Sequence, residues 1–573
     1  MIPGGDHRTP RRPLRAVLTL LLAALVLAGC GGLPESGPVT AADPRTSRSP
    51  FTTLTANPPR EGATPEEIVR GFLDASQTGF GDEFATARQF LGGTAEDTWQ
   101  PRAQTRVYQN TENPALVVDD NGSITAESTL SATIDSEGHY EQNVDGQGVT
   151  LEFDLARNDD GEWRIINLED GVLVSESTLG SQMAPAAVYF PSVDGGALVA
   201  DQRYFPQQNL ASWLVQAAIE GPSAWLEPAV LSPAPALTRT LARSVTVASG
   251  VATIDLNEAV LDASSLERTQ LVQQLRRTIM DAIPEVTDVD VLVGGSDLLS
   301  SDPADLPTYP FESQDLFAVA DGELVQLDGG ISIRVEGAFA PVSGAVSSPA
   351  VAPTDTSEPP VYLDGPTRLM SASSETRSTR VLATGEDLLA PSVDRYGWVW
   401  TGERAGTGEL EAVLPNGGTS TVDASWLEGT PARSIRVSRE GARIAVVHET
   451  AGSVVIDVAA VQRSADGTPR SIGTTPVRVG AGLNDIFDVA WIGPTTLAVL
   501  GRADIDTAPR VYLVTIGGET TSLAPLADAV SITAGRGRNS VVVGTSDGVL
   551  HERQGTNSWR SIGSGLTDPA YPG

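Results

Sequence analysis

Val437-Ser438-Arg439-Glu440-Gly441-Ala442-Arg443-Ile444-Ala445-Val446 reads as an apolar strand, a polar turn closed by glycine, and a second, β-branched strand. The pattern recurs. Ser392-Val393-Asp394-Arg395-Tyr396-Gly397-Trp398-Val399-Trp400 precedes it, and Val489-Ala490-Trp491-Ile492-Gly493-Pro494-Thr495-Thr496-Leu497-Ala498-Val499 follows. A fourth copy runs from Ile532 to Val543, around Gly535-Arg536-Gly537-Arg538. The copies lie roughly 43–53 residues apart, the period of a four-stranded propeller blade. Phe317-Ala318-Val319-Ala320-Asp321-Gly322-Glu323-Leu324-Val325 looks like the remnant of an earlier blade. Residues 311–566 are therefore expected to form an all-β propeller of about five to seven blades that unfolds as one unit. Ala345–Pro360, rich in Pro, Ser and Thr, reads as a long surface loop within it.

Upstream, between residues 182 and 305, helical and strand periodicities alternate. Val188-Tyr189-Phe190 and Leu198-Val199-Ala200 are expected as short strands around the turn Asp194-Gly195-Gly196. Asn209 is placed to cap a helix whose Leu210, Trp213, Leu214, Ala217 and Ala218 share a face, and Gly221-Pro222 ends it. A hairpin turns at Ser249-Gly250. Ser264 and Glu267 form a capping box ahead of a second helix with Leu271, Val272, Leu275 and Ile279 on its inner face. Val289–Gly295 is the closing strand. The helix running into Glu220-Gly221-Pro222, the hairpin ending in Thr253-Ile254-Asp255-Leu256-Asn257 and the long Gln-rich helix together resemble the GerMN domain of sporulation and envelope proteins.

Residues 63–178 begin with Thr64-Pro65-Glu66-Glu67, a helix cap, a proline at the first helical position and a second capping box. Ile68, Val69, Phe72 and Leu73 make one apolar stripe. A second helical piece is expected over Asp82–Leu91, carrying Phe84, Ala87 and Phe90. After Trp99-Gln100-Pro101 the chain alternates as strands do, for example in Val149–Leu155 and Glu162–Ile166. The turns fall at Asp119-Asp120-Asn121-Gly122, Asp145–Gly148 and Asn158–Gly161. Helices followed by an antiparallel sheet that ends in Gly161-Glu162-Trp163-Arg164-Ile165 resemble the cone-like NTF2 fold, an α+β arrangement.

The first 29 residues combine Arg8, Arg11, Arg12 and Arg15 with an apolar run from Ala16 to Ala28, as a secretory signal does. The run is too short for a comfortable membrane span of roughly 20 residues. Leu27-Ala28-Gly29-Cys30 resembles the bacterial lipobox. That resemblance implies cleavage between Gly29 and Cys30 and a thioether-linked, palmitate-type lipid anchor on Cys30, the only cysteine in the chain. The plainer alternative is an ordinary signal with an incidental Cys. Residues 30–62, dense in Pro, Ser, Thr and Gly, read as a tether reaching a few tens of ångströms.

The charge balance narrows the function. The chain carries 38 Lys+Arg against 73 Asp+Glu, a net −35. Loss of a leader with four Arg and one Asp takes the mature chain to −38. Such a surface repels phosphate backbones, so nucleic acid is not an expected partner. Nor does it hold anionic lipid, so membrane residence rests on the anchor. No lysine occurs, which excludes Schiff-base, P-loop and Ser-Lys chemistry.

His139, His448 and His551 lie far apart without metal-ligand spacing and are expected on strand surfaces. Gly544-Thr545-Ser546-Asp547-Gly548 matches a nucleophile elbow in letters. A strand follows it where the elbow needs a helix, so Ser546 is expected in a hairpin turn. Trp398, Trp400 and Trp491 are expected as core between blades. No catalytic residue, metal site or cofactor is expected, and the oligomeric state stays open.

The order lipobox, tether, NTF2-like region, GerMN-like domain and propeller resembles the LpqB lipoprotein family of actinobacteria. Ile68-Val69-Arg70-Gly71-Phe72-Leu73-Asp74-Ala75 and Ala87-Arg88-Gln89-Phe90-Leu91 add to the resemblance. It implies a protein on the outer face of the cell membrane that touches the extracellular part of a sensor histidine kinase of the MtrB type. Through that two-component system it would modulate envelope and cell-division signalling. The rival expectation is a cell-wall glycan-binding or envelope-processing protein that uses the propeller face.

Overall fold

The computed structural model describes Met1, Gly5 and residues 56–573, apart from 111–112, 120–122, 145, 312, 329–330, 335–345, 354–357, 374–377, 505–506 and 556. The lipobox and most of the tether lie outside the described residues.

The N-terminal domain opens with α1 (Pro65–Thr78). Its capping box forms as the sequence predicts, with Glu67 N–H bonded to the Thr64 hydroxyl and Thr64 N–H to the Glu67 carboxylate. Ile68, Val69, Phe72 and Leu73 are buried. The helix expected over Asp82–Leu91 shrinks to α2 (Ala85–Arg88), because Phe84 takes a left-handed φ of 64° that ends any helix on its N-terminal side. That bend drives Phe84 and Phe90 into the core, where Phe72 and Phe84 both meet the Trp99 ring edge-on.

A short α3 (Ala95–Thr98) precedes seven strands: β1 (Gln104–Tyr108), β2 (Ala115–Val118), β3 (Ile124–Asp135), β4 (Tyr140–Gln142), β5 (Gly148–Arg157), β6 (Trp163–Asn167) and β7 (Val172–Ser175). The path is β6-β5-β3-β1-β7, with β2 and β4 also on β3. β3 changes partners halfway: β2 and β5 flank its first half, β1 and β4 its second. The sheet bends there around α1, as in the α+β cone the sequence suggests.

After α4 (Glu176–Gln182) comes a long hairpin, β8 (Met183–Pro191) and β9 (Leu198–Pro206), paired at nine positions. At nine residues each, these strands are three times as long as the three-residue apolar cores suggested. α5 (Leu210–Glu220) starts at Asn209, but the Asn side chain makes no cap; its left-handed backbone, φ 57°, turns the chain instead. Gly221, at φ 117°, ends the helix.

β10 (Thr246–Ala248) and β11 (Val251–Leu256) form the expected hairpin. The capping box of α6 (Ser265–Ala282) is present, and β12 (Asp288–Val293) pairs parallel to β11, with β13 (Ser296–Asp297) at the edge. Leu271, Leu275 and Ile279 of α6 pack with Leu214 and Ala218 of α5 and Ile254 of β11 in one core.

From Leu316 onward the described residues form six blades. The four repeats read in the sequence are the inner hairpins of blades three to six, each an antiparallel pair: Ser392–Val393 with Val399–Thr401, Ala432–Val437 with Arg443–Thr450, Asp485–Trp491 with Thr496–Arg502, and Ala529–Ala534 with Val541–Thr545. Val346–Ala350, expected within a loop, is the inner strand of blade two. The remnant motif, Leu316–Ala320 with Glu323–Asp328, belongs to blade one. Its inner strand is the C-terminal Thr567–Ala570, just past the expected limit at 566, and this pairing closes the ring. An extra strand, Pro469–Ile472, ties blade four to the outer strand of blade three at Asp423–Ser471.

Candidate functional site

Cys30 and Gly29, the residues with a defined chemical expectation, lie outside the described residues. The described part offers instead two polar junctions where charge is concentrated between domains.

The first joins the propeller to the β8–β9 hairpin. The turn of the blade-four repeat carries Glu440 and Arg443, and both are essentially buried, at 0% and 1% exposure. Arg443 Nε donates to Glu440 Oε1 at 2.7 Å, and its two terminal nitrogens donate to the Ala200 carbonyl on β9 and to the Pro494 carbonyl of blade five. Its guanidinium also stacks 4.9 Å from the Trp491 ring. One blade away, Arg395 reaches Asp194 in the β8–β9 turn at 2.5 Å. Burial opposes ionisation of Asp194, but hydrogen bonds from Arg395 and Ser192 hold its carboxyl below the usual carboxylate range.

Apolar packing follows the same line. Ala442 and Ala460 of blade four belong to the core around α5 and α6. Tyr309, in the segment linking the two domains, is buried with its hydroxyl donated to the Trp491 and Gly535 carbonyls. The turns of blades three and four that carry the sequence motif therefore face the middle domain, and the blade-five turn is tied to them through Arg443.

The second junction brings all three domains to the β3–β4 turn. Tyr204 N–H on β9 donates to the Gly138 carbonyl at 2.8 Å, and the Tyr140 and Tyr204 rings stack 5.0 Å apart. From the propeller, Thr520 N–H reaches Gln142 Oε1 at 3.3 Å. Burial pushes both tyrosines well above the ordinary phenol range, and the neighbouring Glu519 carboxylate adds to this.

In the same turn His139 Nδ1 lies 2.8 Å from Asp135 Oδ2, and its Nε2 lies 2.6 Å from Ser223 Oγ. An Asp–His–Ser line of this kind has the connectivity of a hydrolytic triad. Here, however, Ser223 is 1% exposed, and its hydroxyl sits 2.8 Å from both oxygens of Asp201. A serine pressed against a carboxylate, with no exposed face, is a poor nucleophile and a good structural relay. Arg203 completes the line, donating to Asp201 at 2.6 Å and to the Gly221 carbonyl at 2.8 Å. A cavity of about 290 Å³ opens beside it, lined among others by Arg102, Tyr204, Trp213 and Glu220.

The sequence candidates fall as follows. Trp398, Trp400 and Trp491 are core, and Trp400 Nε1 donates to Asp394, which also accepts from Arg463. Ser546 is in the turn between Val541–Thr545 and Val549–Gln554, as expected. His551 is a half-buried strand residue. His448 departs from expectation: it is buried, with Nε2 2.7 Å from Asp457, because the second strand of blade four is covered on both faces. His139 departs too, being drawn from a strand surface into the junction. The missed residues had one legible signal. Asp201 and Arg203 sit two apart, hence on one face, inside the apolar run of β9. Among the described residues no group of three or more His, Cys, Asp or Glu is placed to hold a metal ion, and no helix is long and apolar enough to cross a membrane.

Comparison with known proteins places these regions. Residues 58–180 match the family model described as Lipoprotein LpqB, N-terminal domain, residues 322–572 the Lipoprotein LpqB beta-propeller domain, and residues 187–299 the model described as Sporulation and spore germination. Among curated relatives, Lipoprotein LpqB of Cutibacterium acnes is 28% identical over 603 residues, covering 98% of this chain and 99% of its own. Lipoprotein LpqB of Streptomyces coelicolor is 27% identical over 616 residues, covering 98% of each. Solved structures with local likeness include TolB from Acinetobacter baumannii (TM-score 0.31, 17% identity, 45% of this chain and 66% of that one). The tandem GerMN domains of GerM from Bacillus subtilis are another (TM-score 0.19, 16% identity, 25% and 58%). With both LpqB-specific regions matched and relatives of that name aligned from end to end, the chain belongs to the LpqB family of lipoproteins.

Proposed function

We propose that this chain is a lipid-anchored protein of the extracytoplasmic face that works by binding. Its partner is the extracellular part of a two-component sensor histidine kinase of the MtrB type, and it carries out no catalysis. The observation that carries the reading is the interlocking of three domains by buried charge. Arg443 and Arg395 tie the propeller to the middle domain, and the β3–β4 turn ties both to the N-terminal domain. A chain built this way presents one composite surface. Confined by its anchor to the plane of its partner, it meets that partner at high effective concentration, so a weak contact suffices. It changes signalling only if it binds one state of the kinase better than the other. The polar line through Ser223 supports the non-catalytic part, since its hydroxyl is enclosed and held by Asp201.

The test is autophosphorylation of the sensor kinase reconstituted in liposomes, with the lipidated full chain, with the Cys30→Ser form, and without either. The expected result is a changed rate with the lipidated chain and a much smaller effect of the Ser form at equal concentration. No change, together with retention of the chain on purified cell wall, would overturn the signalling reading in favour of glycan binding.

A further inference from the structure

At the β3–β4 turn the imidazole of His139 meets the middle domain through Ser223, and Gln142, three residues on, meets the propeller at Thr520. Two charged groups face His139 from its own turn. Asp135 is at 2.8 Å from Nδ1 and Glu137 at 3.8 Å. From β9 come Asp201 and Arg203, reached through Ser223. Tyr140 and Tyr204 stack beneath, Glu519 of the propeller stands beyond them, and Arg102 and Glu220 line the adjoining cavity.

The protonated ring fits this surround in full. Its two N–H groups find two acceptors, Asp135 Oδ2 and Ser223 Oγ, which leaves the Ser223 proton free for Asp201. The neutral ring does not. With its remaining proton on Nδ1 toward Asp135, Nε2 becomes an acceptor and competes for the only hydroxyl proton of Ser223. Asp201 then loses a donor inside a buried cluster that also anchors Arg203 and, through it, the Gly221 carbonyl. A proton lost from the N-terminal domain is thus felt on β9, one residue from the backbone bond that joins Tyr204 to Gly138.

We propose that His139 makes the three-domain junction responsive to pH: the imidazolium closes it, and loss of the proton loosens the N-terminal domain from the β8–β9 hairpin. The sign follows from the surroundings. The hydrogen bond to Asp135 raises the His139 pKa above its ordinary value; burial and the Arg203 charge oppose this, and the charges of Asp135 and Asp201 reinforce the rise, which prevails. A raised folded-state value means the stabilisation is complete below about pH 6.5 and is lost as pH climbs through the folded value. For Asp135, burial pushes upward, but the side-chain and backbone bonds from His139 outweigh it and keep the carboxylate ionised to lower pH. The junction is therefore closed in mild acid and loosens on the alkaline side.

Hydrogen exchange of the full-length lipidated chain in detergent tests this, read by mass spectrometry at about pH 6 and about pH 8.5 and corrected for intrinsic rates. Peptides spanning 135–142 and 200–206 should exchange faster at the higher pH by on the order of tenfold, the effect of losing one charge-assisted hydrogen bond from a partly buried site. Peptides of blade six should not change. His139→Gln should remove the pH dependence, and Ser223→Ala should reduce it. Should a variant fail to fold, the His139 ring resonance of the wild-type chain decides: a titration midpoint at or below that of free histidine overturns the proposal. Equal corrected exchange at the two pH values, or an undiminished pH response in His139→Gln, overturns it as well.

Discussion

Replacing Arg443 by Met removes one half of a buried pair and leaves the other where it is. Glu440 is then left at 0% exposure without its cation, with the Ser438 hydroxyl on Oε1, while Oε2 has no hydrogen-bond partner even in the intact protein. An uncompensated buried charge of this kind costs about 3–5 kcal/mol. The Ala200 and Pro494 carbonyls also lose their donors, which moves the expected loss to the upper end of that range. The second substitution separates the charge from the carbonyls. In Glu440→Gln with Arg443→Met the orphaned charge is gone and only the lost donors remain, a cost of about 1–3 kcal/mol. The double variant should accordingly be more stable than the single one, although it carries one more change.

Urea unfolding followed by tryptophan fluorescence reads this directly, because the Trp491 ring lies 4.9 Å from the Arg443 guanidinium. Hydrogen exchange at Ala200–Gln202 in the same samples reports whether the β8–β9 hairpin has come away. An Arg443→Met protein within about 1 kcal/mol of wild type, or a double variant no better than the single one, would refute the idea that this pair is held by its mutual burial.

Three further outcomes follow from other parts of the fold. Ending the chain after Gly565 removes Thr567–Ala570, the strand that closes the ring on Leu316–Ala320, so the propeller should lose its cooperative transition and become protease-sensitive. A truncated chain that keeps its thermal midpoint would argue for independent sheets. Gly138→Ala puts a side chain on a residue at φ 90° whose Cβ would lie 2.5 Å from the Tyr204 carbonyl oxygen. Exchange at 135–142 and 200–206 should therefore rise while the propeller transition stays in place. Ser264→Ala deletes the cap on Glu267 N–H at the start of α6 and should cost about 1 kcal/mol in urea unfolding.

The parts that were legible in the sequence share one property: their cause is local. Thr64 with Glu67 and Ser264 with Glu267 specify helix starts within four residues, and both boxes are present in the structure. The inner hairpins of blades three to six were readable because each is an apolar strand, a glycine turn and another strand in succession. What escaped depends on distant partners. Phe84 leaves helical space so that its ring can meet Trp99. His448 looks like a strand residue, yet Asp457 and the covered sheet bury it. His139 and Ser223 are separated by 84 residues and meet because β9 holds both, Tyr204 bonding Gly138 and Asp201 accepting from Ser223. The turn motif of blade four announced a hairpin, but nothing near Arg443 in sequence announces the Ala200 carbonyl it serves.

The interlocked build also decides how the partner surface should be sought. Deleting the middle domain would orphan Arg443 and Arg395 of the propeller together with Gly138 of the N-terminal domain. A loss of kinase response after such a deletion would therefore report damage as readily as a lost contact. Substitutions on faces that support no other domain are the cleaner instrument. The outer edge of the middle domain supplies them. Leu237 is 83% exposed and Leu241 and Val247 are exposed beside it, and Thr240 and β10 pair with β11 along that edge. Leu237→Ser and Val247→Ser leave the buried pairs untouched. If either weakens the effect on kinase autophosphorylation without shifting the unfolding transition, the edge belongs to the contact. If both leave it unchanged, the edge drops out, and the exposed strand β2 of the N-terminal domain, with Val117 and Val118, becomes the next face to alter.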